Sequence, residues 1–202
     1  RYAKHTMRGG SELKAETSEK QENGLDIAYA TQWSYGIGEM PNLLIPDFNG
    51  GASAGALSSS SATAKVLKSY GYKGKELTQT LQFMPLYWGP QPFTAGPMYI
   101  GAITIFLFIL GLCLFKGKEK WWLLAASIFA ILLSWGCNFE AFTRLCFKIL
   151  PMYNKFRTVS MALIVLQVTL PLLGFVVADR VIKGEYSAAE FKKGLLTALG
   201  VT

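Results

Sequence analysis

Three apolar segments that contain no charged side chain most constrain what this chain can fold into: residues 97–115, 121–136 and 158–178. A bilayer core about 30 Å thick needs roughly 20 residues of helix, because each residue adds about 1.5 Å. The first and third segments reach that length, and the second reaches the lower limit if Lys120 extends its ammonium group to the headgroups. We therefore predict an α-helical integral membrane protein with three transmembrane helices.

The alternative is a soluble protein with three buried helices. Core helices usually carry a polar face, whereas the run ITIFLFIL at 103–110 is apolar on every side.

Hydrophobic residues make up 51% of the chain, yet the first 96 residues are largely polar. This division predicts an external loop region at 1–96, with short helices and irregular structure, and a transmembrane region at 97–182. The chain begins with Arg1 and shows no secretory leader, so we expect a piece of a longer protein.

The distribution of cations predicts an orientation, because Lys and Arg near the ends of spans favour the cytoplasm. Lys116, Lys118 and Lys120 crowd the turn after the first segment, whereas 77–96 contains neither Lys nor Arg. We therefore expect 1–96 and 137–157 outside, and 116–120 and 180–202 in the cytoplasm. The loop at 137–157, which we expect outside, carries four cations and so does not follow this rule. These cations therefore need another explanation, such as a function.

Four shorter helices follow from local patterns. Ser and Thr residues open a helix near 62–71, and a second runs from about Gly74 until Pro85 stops it. Apolar residues at helical spacing in 139–150 predict a helix that lies in the outer interface. Ser187 and Glu190 form a capping-box pattern, which opens a cytoplasmic amphipathic helix within 183–202 or leads toward a further span.

Several classes of partner and cofactor are disfavoured. The net charge of +7 comes from scattered cations without a nucleic-acid-binding motif, so lipid phosphates are the expected counterpart. No residues have metal-ligand spacing, no cofactor is evident, and His5 stands alone in a polar stretch. Cys137 and Cys146 could pair in an oxidising compartment, or Cys146 could simply be a small apolar residue of a helix face. That alternative stays open.

The loop before the third segment is the best candidate site. Lys155 and Arg157 lie two residues apart at the predicted outer surface, with Tyr153 and Phe156 beside them. Guanidinium and ammonium groups suit a lipid-linked phosphate, and aromatic rings suit a prenyl chain or a sugar face. Ordinary contact with lipid headgroups explains the same residues equally well.

Acids and aromatics in the external region could complete such a site. Asp26, Glu39 and Asp47 are candidates for a general base or for a ligand of sugar hydroxyls, although solvated loop acids are the more common case. The aromatic candidates for a sugar or acceptor cleft are Trp33, Tyr35 and Trp88. In the third segment, Gln167, Thr169 and Pro171 interrupt the apolar run, which predicts packing inside a larger helix bundle.

Four runs carry a resemblance to a known family: YATQWSYG at 29–36, LLIPDFNGG at 43–51, LYWGPQPFTAGP at 86–97 and YNKFR at 153–157. In this order they resemble the YfhO-type bacterial membrane proteins, especially those of Bacteroidetes, over most of the chain from about Tyr2 to Ala178. Proteins of that family are much longer and have many spans. They are grouped with the C-type glycosyltransferases, which take a sugar from an undecaprenyl-phosphate carrier outside the cytoplasm.

The resemblance implies a fragment of a polytopic glycosyltransferase in the bacterial inner membrane. Its substrate would be a lipid-linked sugar, its acceptor a component of the cell envelope, and its partners the lipids and the remaining transmembrane helices. In that superfamily the catalytic acid usually lies in the first external loop, which would precede Arg1. Teichoic acid, the family's best-known acceptor, is absent from Bacteroidetes. The alternatives are a transporter or flippase component for lipid-linked intermediates and a non-catalytic structural protein.

Overall fold

The structure, a computed structural model, describes residues 25–151 and 153–202. The described residues form helices and loops without a β-strand; two isolated bridges join Gly50 to Tyr87 and Gly55 to Met84. The predicted α-helical class is therefore confirmed for this part of the chain. The predictions for His5 and the rest of 1–24 lie outside it.

Eight α-helices follow one another in the described residues, with short 3-10 segments between some of them. They are α1 (Ile27–Ala30), α2 (Ala62–Ser69), α3 (Gly74–Gln82), α4 (Ala102–Leu114), α5 (Glu119–Ser134), α6 (Glu140–Ile149), α7 (Leu166–Ile182) and α8 (Ala188–Val201). The 3-10 segments are Ile37–Leu43, Gly136–Phe139, Tyr153–Lys155 and Val159–Val165. The last of these runs directly into α7.

Side chains next to the helix starts explain where several helices begin. The Ser61 hydroxyl accepts a hydrogen bond from the Ala64 amide at 3.1 Å and caps α2. Ser187 and Glu190 form a reciprocal capping box at the start of α8. The predictions of helices near 62–71, 74–83 and 139–150, and of one opened by Ser187, are confirmed.

Helices α4, α5, α7 and α8 pack around one apolar core. Helix α4 lies against both α7 and α8, and α5 lies against α7 and the 3-10 segment before it. The core includes Phe108, Leu163, Leu173, Val177 and Ala198, all of them buried. Glycines let α4 and α7 approach closely: a Cβ atom at Gly174 would lie 3.0 Å from the Leu107 Cβ.

The prediction of three transmembrane helices is not supported. Among the described residues, the length and composition needed to cross a membrane are met by one continuous helix, Val159–Ile182. The pair Glu119–Ser134 and Gly136–Ile149 would qualify only as one span, and it is bent by 107°. Ala102–Leu114 is apolar but short.

Tertiary contacts and one turn shorten the first two segments. Residues 97–101 belong to the first apolar segment but are not helical; the amides of Ile100 and Gly101 instead donate to the Leu43 carbonyl. The 13 residues of α4 therefore extend only about 20 Å. After α5, Gly136 takes a φ of +46° and the chain turns sharply. The absence of charged residues therefore predicted longer continuous helices than the structure contains.

Thr169, one of the three residues that interrupt the third segment, serves helix packing. The Thr169 hydroxyl lies 2.7 Å from the Ser127 hydroxyl of α5 and 3.1 Å from the Val165 carbonyl, which it bonds. Helix α7 continues through Pro171. Gln167 does not share this packing role, because its side chain is exposed.

The last helix turns back along the bundle. Glu190, in the first turn of α8, pairs with Lys116 just beyond α4, and Gly194 lies against Leu114 and Leu110. Helix α8 therefore runs antiparallel to α4, and its buried Ala198 joins the core. Packing of α8 back against α4 is an arrangement that the sequence did not predict.

Candidate functional site

Two of the sequence runs, 29–36 and 153–157, lie side by side in the structure. Backbone hydrogen bonds join them: the Thr158 amide donates to the Ala30 carbonyl at 3.2 Å, and the Ser160 amide donates to the Trp33 carbonyl at 3.3 Å. The Leu25 amide donates to the Asn154 carbonyl at 2.8 Å. These bonds hold the loop before α7 against the segment that follows α1.

The guanidinium of Arg157 rests on two aromatic rings. Its central carbon lies 4.0 Å from the ring centre of Trp33 and 4.8 Å from that of Tyr29, and one terminal nitrogen donates to the Tyr29 hydroxyl at 2.9 Å. The Nε atom is enclosed and has no hydrogen-bond partner among the described residues. Cation–π contacts therefore fix the cation, while several of its five donors have no partner among residues 25–151 and 153–202.

Trp33 and Tyr35 are held firmly by the surrounding loops. The Trp33 indole nitrogen donates to the Phe93 carbonyl at 3.1 Å, and the two rings meet edge to face. Tyr35 is 2% exposed, and its amide donates to the Ser134 carbonyl at the end of α5. Burial, followed by the nearby Glu39 charge, raises the pKa of Tyr35. The aromatic support of Arg157 is thereby anchored to the helix bundle.

Glu39 is a buried carboxylate, 1% exposed, at the centre of a hydrogen-bond network. It accepts bonds from the Gly36 amide at 2.7 Å, the Tyr87 hydroxyl at 2.5 Å and the Gln91 side-chain amide at 3.4 Å. Burial, followed by the bond to Glu39, raises the pKa of Tyr87. Glu39 therefore joins the turn at Gly36 to the loop that carries Gln91. Hydrogen-bond donors, rather than a cation, compensate the negative charge of its carboxylate.

A cleft of about 330 Å³ opens beside these two clusters, between residues 91–99 and the start of the long helix. Polar side chains on its wall include Gln91, Thr94, Ser160 and Gln167, and apolar ones include Met98 and Met161. Tyr35 and Tyr99 add aromatic surface. Gln91 belongs both to the cleft wall and to the Glu39 network. The cleft thus offers hydrogen-bonding groups and apolar surface side by side, as carbohydrate and amphiphile sites require.

The structure distributes the other candidate residues over several places. Tyr153 packs edge to face on Phe147; its hydroxyl is enclosed, and burial raises its pKa to about 12. Lys155 is half-buried at the end of the 3-10 segment Tyr153–Lys155. Trp88 is 69% exposed and does not line the cleft. Of the three aromatic residues predicted to share one cleft, Tyr35 lies on its wall, whereas Trp33 and Trp88 do not.

The other two candidate acids are exposed and lie apart from the cleft wall. Asp26 is exposed and caps α1 by accepting a bond from the Tyr29 amide at 3.1 Å. Asp47 is exposed in a turn, where its φ is 55°. In the described part of the chain neither acid forms an ion pair.

Several residues of the site were not selected from the sequence. Tyr29 and Gln91 lie within the runs that carry the family resemblance, but nothing in their spacing indicated contact with Arg157 or Glu39. Gln167 was assigned to helix packing, whereas it lines the cleft. Its position at i+7 from Ser160, on the same helical face, is the signal that could have found it.

No group of His, Cys, Asp and Glu in the described residues is arranged to hold a metal ion. The three cysteines are free: Cys113 and Cys137 are exposed and Cys146 is buried, which raises the pKa of its thiol. The site is therefore described by its cation, its aromatic rings and its polar cleft.

No protein-family model, curated protein or solved structure matches this chain.

Proposed function

We propose that this chain is part of a polytopic membrane protein of the C-type glycosyltransferase kind, similar to the YfhO-type proteins, and that its external cleft binds an undecaprenyl-phosphate-linked sugar. The observation that carries the proposal is the Arg157 guanidinium, which is fixed on Trp33 and Tyr29; the Trp33 carbonyl accepts a bond from the amide of Ser160, a residue of the polar and aromatic cleft. Lys155 provides a second cation two residues away.

Each part of such a substrate has a matching surface. The phosphate oxygens accept hydrogen bonds from the unused donors of Arg157. Sugar hydroxyls exchange hydrogen bonds with Gln91, Thr94, Ser160 and Gln167 on the cleft wall. The prenyl chain follows the apolar face of the long helix, which begins at Met161 in the cleft and continues through exposed residues one turn apart, Ile164, Val168, Leu172 and Phe175.

Membrane insertion is part of the proposal. Val159–Ile182 crosses the bilayer, and its exposed apolar side chains contact lipid or helices of the remaining chain. Helices α4, α5 and α8 pack beside it within the apolar layer. The cleft faces outside, since Lys116, Lys118 and Lys120 mark the other end of α4 as cytoplasmic.

The structure favours binding of the lipid-linked sugar as a substrate over its transport across the bilayer. A path for a charged headgroup through the bilayer needs polar or ionisable groups at membrane depth. The buried polar groups between α5 and α7 are hydroxyls such as Ser127 and Thr169, which bond each other and helix carbonyls. Glu39 is enclosed behind Tyr87 and Gln91, so we assign it a positioning role. The general base then belongs to another part of the protein.

The test is binding of undecaprenyl phosphate to the full-length protein in lipid nanodiscs. We expect Arg157→Ala to weaken binding about tenfold or more, because charge-assisted hydrogen bonds to phosphate are lost. Arg157→Lys should recover part of the affinity. The control is Arg144→Ala, which removes an exposed arginine of α6 that pairs with Glu140 and does not contact Trp33 or Tyr29.

Transfer of a radiolabelled sugar from the lipid carrier separates the three functions. A glycosyltransferase loses transfer in the Arg157→Ala protein while membrane insertion is unchanged. Binding without transfer by the intact protein would favour the transporter, and neither binding nor transfer would favour the non-catalytic structural protein. Unchanged binding by Arg157→Ala would overturn the assignment of the site.

A further inference from the structure

A second cleft, of about 380 Å³, lies at the other end of the bundle. It opens where α4 ends and α8 begins, and its wall includes Cys113, Lys116 and Gly194. The first cleft adjoins residues 96–99, which precede α4. The length of α4, about 20 Å, therefore separates the two clefts, and they share no residue.

Close packing of α8 on α4 builds this second cleft. Gly194 faces Leu114, so that a Cβ atom there would lie 2.7 Å from a Leu114 methyl carbon. The capping box of Ser187 and Glu190 fixes the start of α8, and Glu190 pairs with Lys116 at 2.8 Å. The Glu190 pKa falls to about 2, first because of Lys116 and then because of the bonds from Ser187.

The cleft is lined by three ammonium groups and one carboxylate. Lys120 donates to the Leu112 carbonyl at 2.8 Å, which holds its ammonium at the end of α4. Lys116 pairs with the carboxylate of Glu190, and Lys193 forms no ion pair in the described residues. One carboxylate thus leaves an excess of positive charge around the opening.

The Tyr186 hydroxyl adds a polar group that has no protein partner. It belongs to the cleft wall, and its oxygen is enclosed without a hydrogen bond to any described residue. A buried hydroxyl without a partner costs free energy, about 1 to 3 kcal/mol in general. A ligand oxygen that accepts a bond from Tyr186 would remove this cost.

We propose that this second cleft binds a phosphate group, supplied either by the headgroup of an anionic lipid or by a soluble phosphate compound. The ammonium groups of Lys120 and Lys193 neutralise the phosphate charge, and the Tyr186 hydroxyl donates to one of its oxygens. Ammonium groups only donate, so the ligand must present acceptors, as phosphate does. Glu190 remains paired with Lys116 and keeps the two helices together.

The test uses the reactivity of Cys113, which is exposed and lines the cleft. The full chain is treated with N-ethylmaleimide, and alkylation is followed by peptide mass spectrometry. Cys137 is exposed beyond the other end of α5 and serves as an internal control. At a ligand concentration about ten times the Kd, alkylation of Cys113 should slow about tenfold, since only unoccupied protein reacts, while Cys137 is unaffected.

Two probes distinguish the sources of phosphate. One is inorganic phosphate added to protein in phosphatidylcholine nanodiscs, and the other is a nanodisc series in which phosphatidylglycerol replaces phosphatidylcholine. Protection by phosphatidylglycerol alone identifies a lipid headgroup, and protection by inorganic phosphate identifies a soluble compound. Protection by neither overturns the proposal.

Variants show whether the cleft itself is responsible. Lys193→Gln should weaken protection about tenfold, and Tyr186→Phe, which keeps the ring and its packing, should weaken it several-fold. The matched control is Lys192→Gln, because Lys192 is the neighbouring exposed lysine outside the cleft. Equal effects of Lys192→Gln and Lys193→Gln would mean general charge attraction and would overturn the proposal. Since none of these residues lies in the external cleft, undecaprenyl phosphate binding there can fail independently.

Discussion

Arg157 owes its position to residues far from it in the chain. Its guanidinium contacts the rings of Trp33 and Tyr29, and the Trp33 indole is itself fixed by a hydrogen bond to the carbonyl of Phe93. The sequence identified Arg157 and Trp33 as separate candidates, because guanidinium groups and aromatic rings are recognisable by type. Their stacking required the loop contacts between 30–33 and 158–160, which no local pattern predicts.

Glu39, unlike Arg157, is a candidate residue whose side chain is buried. The sequence made it a candidate for a general base or for a ligand of sugar hydroxyls, but the residues that donate hydrogen bonds to it also enclose it. An acid is chosen from the sequence by its type, whereas its accessibility depends on what packs over it. Here Tyr87 and Gln91, about fifty residues further along, cover it.

We predict that Glu39→Ala lowers the free energy of unfolding by about 3 kcal/mol, because the Tyr87 hydroxyl and the Gly36 amide lose their acceptor in a buried place. Glu39→Gln keeps an acceptor oxygen and should cost less. Denaturant titration of the purified protein in detergent micelles measures both. Glu76→Ala, at an exposed acid of α3, is the control and should stay within about 0.5 kcal/mol of the unchanged protein. A loss of sugar transfer in Glu39→Gln at unchanged stability would instead indicate a catalytic acid.

At the scale of elements, caps and periodicity located most helices. The starts of α2 and α8 follow Ser61 and Ser187, whose hydroxyls act within three residues of themselves. Helix ends were less predictable, because they depended on distant partners. Leu43 binds the amides of Ile100 and Gly101 and delays the start of α4. The apolar segment at 97–115 is therefore longer than helix α4, which it contains.

Close contact between α4 and α7 gives a prediction for the bundle. We expect Gly174→Val to lower the free energy of unfolding by about 1 to 3 kcal/mol, since its side chain would meet Leu107 and the backbone at Phe108. Gly200→Val in α8 is the matched control, because a Cβ atom there has nothing within 4 Å. Denaturant titrations of the two variants should differ clearly. Equal stability would mean that the helices do not approach as described.

At the scale of the whole molecule, the bundle has two differently built ends. One carries Arg157, its aromatic supports and the polar cleft, and the other carries the lysine-lined cleft between α4 and α8. The apolar face of Val159–Ile182 lies between them and remains largely exposed. This arrangement is what a bilayer-embedded fragment with a site at each surface would present.

Thiol labelling in intact cells tests this orientation. In a background without Cys113 and Cys137, we predict that a membrane-impermeant maleimide labels Phe156→Cys from outside, because Phe156 is exposed in the loop that we propose to be external. Lys192→Cys, at an exposed position of α8, should react only after the membrane is permeabilised. Labelling of both from the same side, or release of the chain by alkaline extraction, would contradict the proposed insertion.

The sequence alone determined the helical class, the positions of most helices and the residue types available for binding. These properties depend on backbone hydrogen bonding, capping and apolar periodicity, which act over a few residues. Only the tertiary structure decided that α4 is short, that the chain turns at Gly136, and that α8 packs back along α4. It also decided that Arg157 rests on Trp33 while Glu39 is enclosed. Those outcomes depend on contacts between distant segments, whose free energies are fixed by packing and burial in three dimensions.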